Sequence, residues 1–257
     1  MTSLVPDFRV IIPARHASTR LPGKPLLKIG GVPMVVLVAR QARQSGAKDV
    51  MIATDHDDIL SIAKAYGENA MMTADYHRSG TDRLAEVVTR LKIQDDEIIV
   101  NVQGDEPLID PELIRSVAAN LAGHEEAVMA TAAHPLNDAT QWLNPNIVKV
   151  VLDVRGFALY FSRALIPHIK QFKDESPLRH VGIYAYRAGF LRNYPDLPSC
   201  LLEETESLEQ LRALYHGYRI SVHVSKKTHA PGVDTEEELA KIRAIYQLNQ
   251  SGESCCE

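Results

Sequence analysis

Residues 97–103 read Glu-Ile-Ile-Val-Asn-Val-Gln, a run in which almost every side chain between the two ends is apolar. This composition is typical of a strand that is buried on both faces, in the middle of a parallel sheet. The run ends directly at Gly104-Asp105-Glu106-Pro107. Because open α/β sheets bind ligands outside the carboxyl ends of their strands, we expect Asp105 to face a binding crevice.

The first half of the chain alternates short β-branched runs with longer amphipathic runs. This alternation predicts βαβ units and therefore an α/β fold, an open, mostly parallel Rossmann-like sheet with helices on both faces. Strands are predicted at residues 9–13, 49–54, 69–73 and 97–103. Helices are predicted at residues 33–45, 57–66 and 81–92, and another is expected to open at Asp110-Pro111-Glu112.

The second half has a different pattern. Hairpin-like strands at residues 147–153 and 157–162 predict an inserted β-rich lobe that spans residues 137 to 200, to within about two to four residues. A long helix at 203–216, a strand at 219–225 and a closing helix at 235–248 are predicted to follow. We expect residues 1–257 to form one domain, with a disordered tail at residues 249–257.

A basic, turn-rich segment follows the first predicted strand. Residues 13–26 read Pro-Ala-Arg-His-Ala-Ser-Thr-Arg-Leu-Pro-Gly-Lys-Pro-Leu, and residues 8–48 hold eight Lys or Arg but no Asp or Glu. The prolines stiffen the loop from which Arg15, Arg20 and Lys24 project. In a chain of net charge -5, this local excess of cations attracts a small polyanion. The segment predicts a phosphate-binding loop, and a basic surface without a ligand is the alternative.

Composition narrows the class of protein. A chain of 257 residues that is 45% hydrophobic can bury a large globular core. The apolar stretches fall short of the roughly 20 residues that cross a bilayer, and Asp7 and Arg9 interrupt any signal sequence. Cys200, Cys255 and Cys256 form neither a disulfide framework nor a zinc spacing. We therefore expect a cytoplasmic protein with no membrane span and no nucleic-acid partner.

The basic loop lacks both common nucleotide signatures. No Gly-x-Gly-x-x-Gly follows the first strand, and Lys24 precedes Pro25 where a P-loop requires Ser or Thr. A dinucleotide oxidoreductase and a P-loop ATPase are therefore disfavoured. We expect a different phosphate site on a similar scaffold.

Two aspartates are candidate metal ligands beside this loop. Asp105 follows the predicted central strand, and Asp234 lies in Pro-Gly-Val-Asp-Thr at residues 231–235. Mg²⁺ takes one or two carboxylates together with phosphate oxygens, so the pair suits Mg²⁺ next to a triphosphate. The alternatives are a turn residue for Asp105 and the N-cap of the last helix for Asp234.

The segment Ser79-Gly80-Thr81-Asp82-Arg83 is a third candidate site. Backbone N–H groups and hydroxyls at a strand-to-helix junction can recognise a base edge or a ribose, and Arg83 adds a cation. An ordinary helix start, capped by Thr81 or Asp82, is the alternative.

These segments resemble the 3-deoxy-D-manno-octulosonate (KDO) cytidylyltransferases, also called CMP-KDO synthetases. The resemblance covers residues 9 to about 244 and is carried by the order and spacing of short motifs. Besides residues 13–26, the motifs are Ala-Thr-Asp at 53–55, Ser-Gly-Thr-Asp-Arg at 79–83, Asn-Val-Gln-Gly-Asp-Glu-Pro at 101–107, His-Val-Gly-Ile-Tyr at 180–184, Glu-x-Leu-Glu-Gln-Leu-Arg at 206–212 and Gly-Val-Asp-Thr at 232–235.

The resemblance implies a fold of the nucleotide-diphospho-sugar transferase type. It also implies transfer of CMP from CTP to the anomeric hydroxyl of KDO, with release of pyrophosphate, for lipopolysaccharide biosynthesis. It implies Mg²⁺ held by Asp105 and Asp234, catalytic roles for Arg15, Lys24 and Asp105, and a homodimer formed through the β-rich lobe. The residues implied on the CTP side are Ala14, Arg15, Arg20, Lys24, Ser79, Gly80, Arg83 and Gln103. Those implied on the sugar side are Gln103, Arg163, His180, Tyr184, Glu209 and Gln210.

Several alternatives stay open at the level of sequence. The acceptor sugar is alternatively an 8-amino KDO analogue or a sialic-type nonulosonate, although sialic-type enzymes usually read Gly-Ser-Lys-Arg after Pro-Ala-Arg. A non-catalytic nucleotide-binding regulator is disfavoured because Lys24 and Asp105 are both present. The alternative for His180 is a core histidine, and for Glu209 and Gln210 it is a solvated helix face.

Overall fold

The computed structural model describes residues 7–17, 21–169, 176–229 and 232–251. The strands within these ranges are β1 (Phe8–Ala14), β2 (Lys28–Ile29), β3 (Val32–Pro33), β4 (Asp49–Thr54), β5 (Asn69–Met72), β6 (Ile98–Asn101), β7 (Ala127–Pro135), β8 (Lys149–Leu152), β9 (Ala158–Ser162), β10 (Leu178–Arg187) and β11 (Arg219–Val224). The helices are α1 (Met34–Gln44), α2 (Asp57–Ala65), α3 (Gly80–Arg90), α4 (Pro111–Ala122), α5 (Ala188–Asn193), α6 (Leu201–Glu206), α7 (Gln210–Tyr215) and α8 (Glu236–Ser251).

Nine of the described strands form one mixed sheet. Its main path runs β11-β7-β10-β6-β1-β4-β5, and β8 and β9 extend it from β10. The pairs of β1 with β4 and β6, of β4 with β5, and of β7 with β11 are parallel. The predicted α/β fold with a mostly parallel sheet is confirmed, and residues 98–101 do form a central strand between β1 and β10.

Helices cover both faces of the sheet, because each strand alternates its apolar side chains between two cores. Phe8, Val10 and Ile12 of β1 pack in one core with residues of α1, α2 and α4. Ile11 of the same strand packs in the other core with residues of α3, α5 and α7. Strands with two buried faces carry nearly continuous apolar runs, which explains why β1, β4 and β6 were recognisable.

Strand β10 was not predicted, although it lies in the middle of the sheet. It runs antiparallel to both neighbours, β6 and β7. Only its last part, from Tyr184 to Arg187, pairs with β6, while its first part extends past the end of β6. Polar residues of that first part, such as Arg179 and His180, break the apolar run from which a central strand is recognised.

The expected β-rich lobe is built around this strand. Strands β8 and β9 form a hairpin, and β8 pairs with the start of β10, so this hairpin is continuous with the main sheet. At the other end of the chain, α8 extends to Ser251, and residues 252–257 of the expected tail lie outside the described residues.

The prediction of one continuous helix at residues 203–216 is wrong. The structure has two short helices, α6 and α7, separated at Ser207. Ser207 adopts a left-handed conformation with φ 51°, which ends α6 because a non-glycine residue in that conformation does not continue a right-handed helix. The break turns Glu209 and Gln210 towards the interior.

A small third core fixes the end of the chain against the basic loop. Val233, Leu239 and Ile242 pack there with Leu21 and Ile29. The backbone N–H of Val233 also donates to the carbonyl of Asp105 at 2.8 Å. This packing carries Asp234 to the carboxyl end of β6, more than a hundred residues away in sequence. No helix in the described part of the chain has the length and apolarity that a membrane crossing requires.

Candidate functional site

A cleft of about 310 Å³ opens at the carboxyl ends of β1 and β6. Its lining comes from the basic loop, the start of α3, the turn after β6 and the segment before α8. The lining residues include Ala14, Arg15, Lys24, Gly80, Gln103, Asp105 and Asp234. A second, larger groove of about 980 Å³ contains Ser79 and Glu209. Ser79 of this groove and Gly80 of the cleft are consecutive residues at the start of α3. Arg20 lies outside the described residues.

Lys24 lies between the two predicted metal ligands. Its Nζ donates to Oδ2 of Asp105 at 2.5 Å and to Oδ1 of Asp234 at 3.0 Å. Burial disfavours the ammonium, but the two carboxylates outweigh this effect and raise the pKa of Lys24. Two carboxylates and a cation therefore meet at one point of the cleft, and the lysine stays charged at neutral pH.

The capping alternative for Asp234 is not what the structure shows. Thr235 caps α8, because its Oγ1 accepts from the N–H of Glu238 at 3.2 Å. The carboxylate of Glu238 in turn accepts from the N–H groups of Asp234 and Thr235. This reciprocal capping box satisfies the helix end and leaves the Asp234 carboxylate directed to Lys24.

Two glycines allow the elements of the cleft to approach closely. A Cβ on Gly104 would lie 2.9 Å from the carbonyl oxygen of Pro13, so only glycine fits where the turn after β6 crosses the end of β1. A Cβ on Gly232 would lie 3.2 Å from Oδ1 of Asp105. A larger residue at either position would displace Asp105.

Glu106 is a buried acid that the sequence analysis did not single out. Burial, with a further contribution from the neighbouring Asp105, raises its pKa to about 8. Its Oε2 atom is buried and makes no hydrogen bond. Glu106 therefore carries its proton at neutral pH.

A buried ion pair supports the start of the basic loop. Arg83, whose side chain is 0% exposed, donates to Oδ2 of Asp55 at 2.6 Å. The other oxygen of Asp55 accepts from the backbone N–H of His16 at 3.4 Å. Arg83 also donates to Thr73 at 2.5 Å. The structure thus places Arg83, predicted on the CTP side, beneath the cleft. The position of Asp55 at the end of β4 was the signal for its part in this network.

Arg15 lies against the same network. Burial and the proximity of Arg83 lower its pKa, whereas Asp55 opposes the shift. Its NH2 group is buried and has no hydrogen-bond partner among the described residues. A buried donor without an acceptor is costly, and an anionic group in the cleft would satisfy it.

The start of α3 is an ordered helix N-terminus. Ser79 is the N-cap and forms a capping box with Asp82, whose carboxylate accepts from the N–H of Ser79 at 3.1 Å. The caps expected from the sequence, Thr81 and Asp82, lie two and three residues after the observed N-cap. Gly80 is the first residue of the helix, and it forms part of the cleft wall.

His180 and Tyr184 lie on β10, with ring centroids 5.5 Å apart. Burial lowers the pKa of His180 to about 3 and raises that of Tyr184. The hydroxyl of Thr131 lies 2.7 Å from the carbonyl of Ile183, to which it donates, and 2.9 Å from Nε2 of His180. Since that hydroxyl proton is committed, Nε2 of His180 donates and Nδ1 is left as an acceptor.

The buried state of His180 predicts a pH dependence of stability. Its pKa is about 3 in the folded chain and about 6.5 when unfolded, so the unfolded chain binds the extra proton. The contribution of His180 to the free energy of unfolding is fully present above about pH 6.5. It is lost as the pH falls towards 3, by up to about 1.4 kcal/mol per pH unit. Urea unfolding at pH 7 and pH 5 measures this loss, and we expect it to be smaller in His180→Asn.

Comparing the pH dependence of His180→Asn with that of the unsubstituted protein removes the contributions of other groups. One of these groups is Glu106, whose raised pKa changes stability with pH in the opposite direction. His168→Asn, at an exposed histidine, is the matched control and should keep the pH dependence of the unsubstituted protein. Equal pH slopes for His180→Asn and the unsubstituted protein would contradict the assignment.

Glu209 and Gln210 do not form a solvated helix face, so that alternative is wrong. Gln210 is 4% exposed, and its Nε2 atom has no hydrogen-bond partner within the described residues. Burial raises the pKa of Glu209, although hydrogen bonds with Ser79 and Thr81 oppose the shift. The Oε1 atom of Glu209 is buried and unpaired. Through Glu209, the residues at the start of α7 that were predicted on the sugar side therefore contact the start of α3.

Arg163 is held by the backbone around it. Its guanidinium donates to the carbonyls of Glu206 at 2.7 Å, Pro145 at 3.0 Å and Ser207 at 3.4 Å. Lys149, which the sequence analysis did not predict, is fully buried below it, and its Nζ donates to the carbonyl of Arg163 at 2.6 Å. Burial lowers the pKa of Lys149. A lysine within an apolar strand was the sequence signal for this support.

The chain is similar to known proteins along most of its length. The family model described as cytidylyltransferase matches residues 9–222. A solved structure of CMP:2-keto-3-deoxy-manno-octonic acid synthetase complexed with CTP is 41% identical in sequence and superposes with a TM-score of 0.89. The similarity covers 95% of this chain and 100% of that chain.

Proposed function

Because this chain belongs to the cytidylyltransferase family, we propose that it transfers CMP from CTP to the anomeric hydroxyl of KDO and releases pyrophosphate. The observation that carries the proposal is the similarity, along almost the whole chain, to a synthetase whose structure holds CTP. The cleft at the carboxyl ends of β1 and β6 supplies the cations and carboxylates that such a reaction needs.

In this reaction the anomeric oxygen attacks the α-phosphorus of CTP while the bond to pyrophosphate breaks. Such transfers depend on in-line positioning and on charge stabilisation rather than on covalent catalysis. We assign Lys24 to the charge that develops at the α-phosphate, and Arg15 to the triphosphate, because its buried NH2 donor is unused. In this proposal the nucleotide side is shaped or supported by Ala14, Ser79, Gly80, Arg83 and Gln103.

The proposal includes Mg²⁺ held by Asp105 and Asp234. Both carboxylates already meet one cation, the ammonium of Lys24, at 2.5 and 3.0 Å. Carboxylate oxygens are the donors that Mg²⁺ prefers, so the residues present fit this ion. When bound, Mg²⁺ supplies positive charge to the phosphate oxygens. Asp105 and Asp234 hold their places through the packing of Gly232 and Val233 against the turn after β6.

The acceptor side rests on unused polar atoms. Glu209 and Gln210 each bury one polar atom that has no partner in the described residues. Such atoms are costly to bury, and the hydroxyl groups of a sugar satisfy them. Nδ1 of His180 is a further acceptor, and Tyr184 and Gln103 complete this side. In this proposal Arg163 binds the carboxylate of the sugar, and one of its three contacts with backbone carbonyls is given up for this.

The proposal extends to assembly and location. We propose a homodimer through the β-rich lobe, where Leu143 is 78% and Leu159 62% exposed, since exposed apolar side chains in one region favour an interface. The membership in the family favours a cytoplasmic enzyme of lipopolysaccharide biosynthesis.

Pyrophosphate release tests the proposed function. The purified chain is assayed with each of the four nucleoside triphosphates, against KDO, 8-amino KDO and a sialic acid, with and without Mg²⁺. We expect release with CTP and KDO in the presence of Mg²⁺. Absence of release with that pair would refute the proposal, and faster release with 8-amino KDO or the sialic acid would replace KDO as the acceptor.

Substitution of the two aspartates tests the metal assignment. We expect Asp105→Asn and Asp234→Asn each to raise the Mg²⁺ concentration for half-maximal activity by about 10- to 100-fold, because a neutral amide binds the ion more weakly. The measurement is a Mg²⁺ titration of the initial rate at saturating CTP. Asp96→Asn is the control, since Asp96 is exposed. An unchanged titration in both site variants would remove these residues from the metal site.

A further inference from the structure

The ends of β1 and β4 bring two histidines together. These neighbouring strands are parallel, and their last residues, Ala14 and Thr54, are opposite each other in register. His16 and His56 each follow two residues later. The same offset from paired strand ends stacks their imidazole rings face to face, with centroids 3.9 Å apart and planes inclined by 14°.

Asp58, in the first turn of α2, adds a carboxylate to the histidine pair. Nδ1 of His56 lies 3.7 Å from Oδ2 of Asp58, and one ligand atom from each of the three residues lies within 4.8 Å of the others. Donors bound at about 2.1 Å to one ion are separated by roughly 3 to 4 Å. The donors thus start close to these separations, and rotation of the two rings out of their stack brings the three into one coordination sphere. None of the three residues is buried, so an ion reaches them from solvent.

We propose that His16, His56 and Asp58 form a binding site for a divalent transition-metal ion of the Zn²⁺ class, with water in the remaining positions. Two imidazole nitrogens and one carboxylate favour Zn²⁺, Ni²⁺ or Cu²⁺ over Mg²⁺, which prefers oxygen donors. The site is separate from the group formed by Lys24, Asp105 and Asp234. Neither histidine is part of the lining of the cleft that contains that group.

Binding at this site is coupled to two neighbouring elements. Nδ1 of His56 accepts the N–H of Asp58 at 3.2 Å and so caps α2. Coordination through that nitrogen exchanges the cap for a metal bond. On the other side, His16 directly follows Arg15, and its backbone N–H donates to Asp55. The ion thus connects the start of the basic loop to the start of α2.

A Zn²⁺ titration tests the site in the full-length protein. Displacement of Zn²⁺ from a chromogenic chelator is followed in excess Mg²⁺, which occupies carboxylate sites without competing for imidazole. We expect one tight equivalent, with affinity lowered at least about tenfold in His16→Ala and in His56→Ala. His168→Ala, at an exposed histidine elsewhere, should bind as the unsubstituted protein does. Unchanged affinity in both site variants would overturn the proposal.

Cu²⁺ provides a second measurement that needs no variant. Electron paramagnetic resonance of the protein with one equivalent of Cu²⁺ should show coupling to two imidazole nitrogens. A spectrum with oxygen ligands alone would overturn the proposal even if a variant failed to fold.

Discussion

Lys24→Ala is expected to lower kcat for CMP transfer by about 10³-fold while the fold is retained. Lys24 is bonded to both Asp105 and Asp234, so its removal takes away the charge assigned to the α-phosphate. It also leaves two carboxylates facing each other across the cleft. Initial rates of pyrophosphate release at saturating CTP and KDO measure the loss, and circular dichroism checks the fold.

Lys28→Ala is the matched control, because Lys28 is exposed on β2, a few residues further along the chain. It should keep the rate of the unsubstituted protein. A Lys24→Ala rate within a few-fold of the Lys28→Ala rate would refute the role given to Lys24. Recovery of most of the activity in Lys24→Arg would show that any cation at this point is sufficient.

Asp55→Asn is expected to lower the free energy of unfolding by about 3 to 5 kcal/mol. The guanidinium of Arg83 is completely buried, and Asp55 is its ion-pair partner at 2.6 Å. Removing the negative charge leaves the buried cation uncompensated, next to the partly buried Arg15. Urea unfolding at neutral pH measures the change.

A double substitution separates the cost of the stranded charge from the loss of packing. Asp55→Asn combined with Arg83→Met should be more stable than Asp55→Asn alone, because the buried charge is gone as well. Glu112→Gln is the surface control. Its pair with Arg115 is exposed, so the expected loss is below about 1 kcal/mol. A loss for Asp55→Asn as small as that of Glu112→Gln would contradict this account.

Elements with a clear local signal in the sequence were predicted correctly, whereas elements that depend on tertiary pairing were missed. Strand β4 was predicted at its observed bounds, 49–54, because its apolar run lies between clear turn residues. The start of α4 was equally clear, with Asp110 as N-cap and Pro111 in the first turn. Strand β7 was missed because its alanine-rich sequence has little intrinsic preference for a strand, and its place in the sheet comes from tertiary pairing.

The residues of the candidate site divide in the same way, into those that the local sequence indicated and those that meet only in the folded chain. The residues alone indicated the basic loop and the acids at 105 and 234, and the structure brings Lys24 together with both. The sugar side, by contrast, came only from the resemblance to a family, and its residue roles stay predictions. The Asp55–Arg83 pair and the contact of Lys149 with Arg163 were not predicted, because their partners are 28 and 14 residues apart and meet only in the folded chain.

The reversed direction of β10 separates, in evolutionary terms, the nucleotide side from the acceptor side proposed above. The parallel strands β1 and β6 end at the cleft, whereas β10 runs in the opposite direction and begins, around His180, past the end of β6. Under the proposed function, substitutions or insertions ahead of β10 would therefore change the acceptor side without shifting the register of the strands next to the basic loop. A lineage with this topology can change its sugar while it keeps its nucleotide.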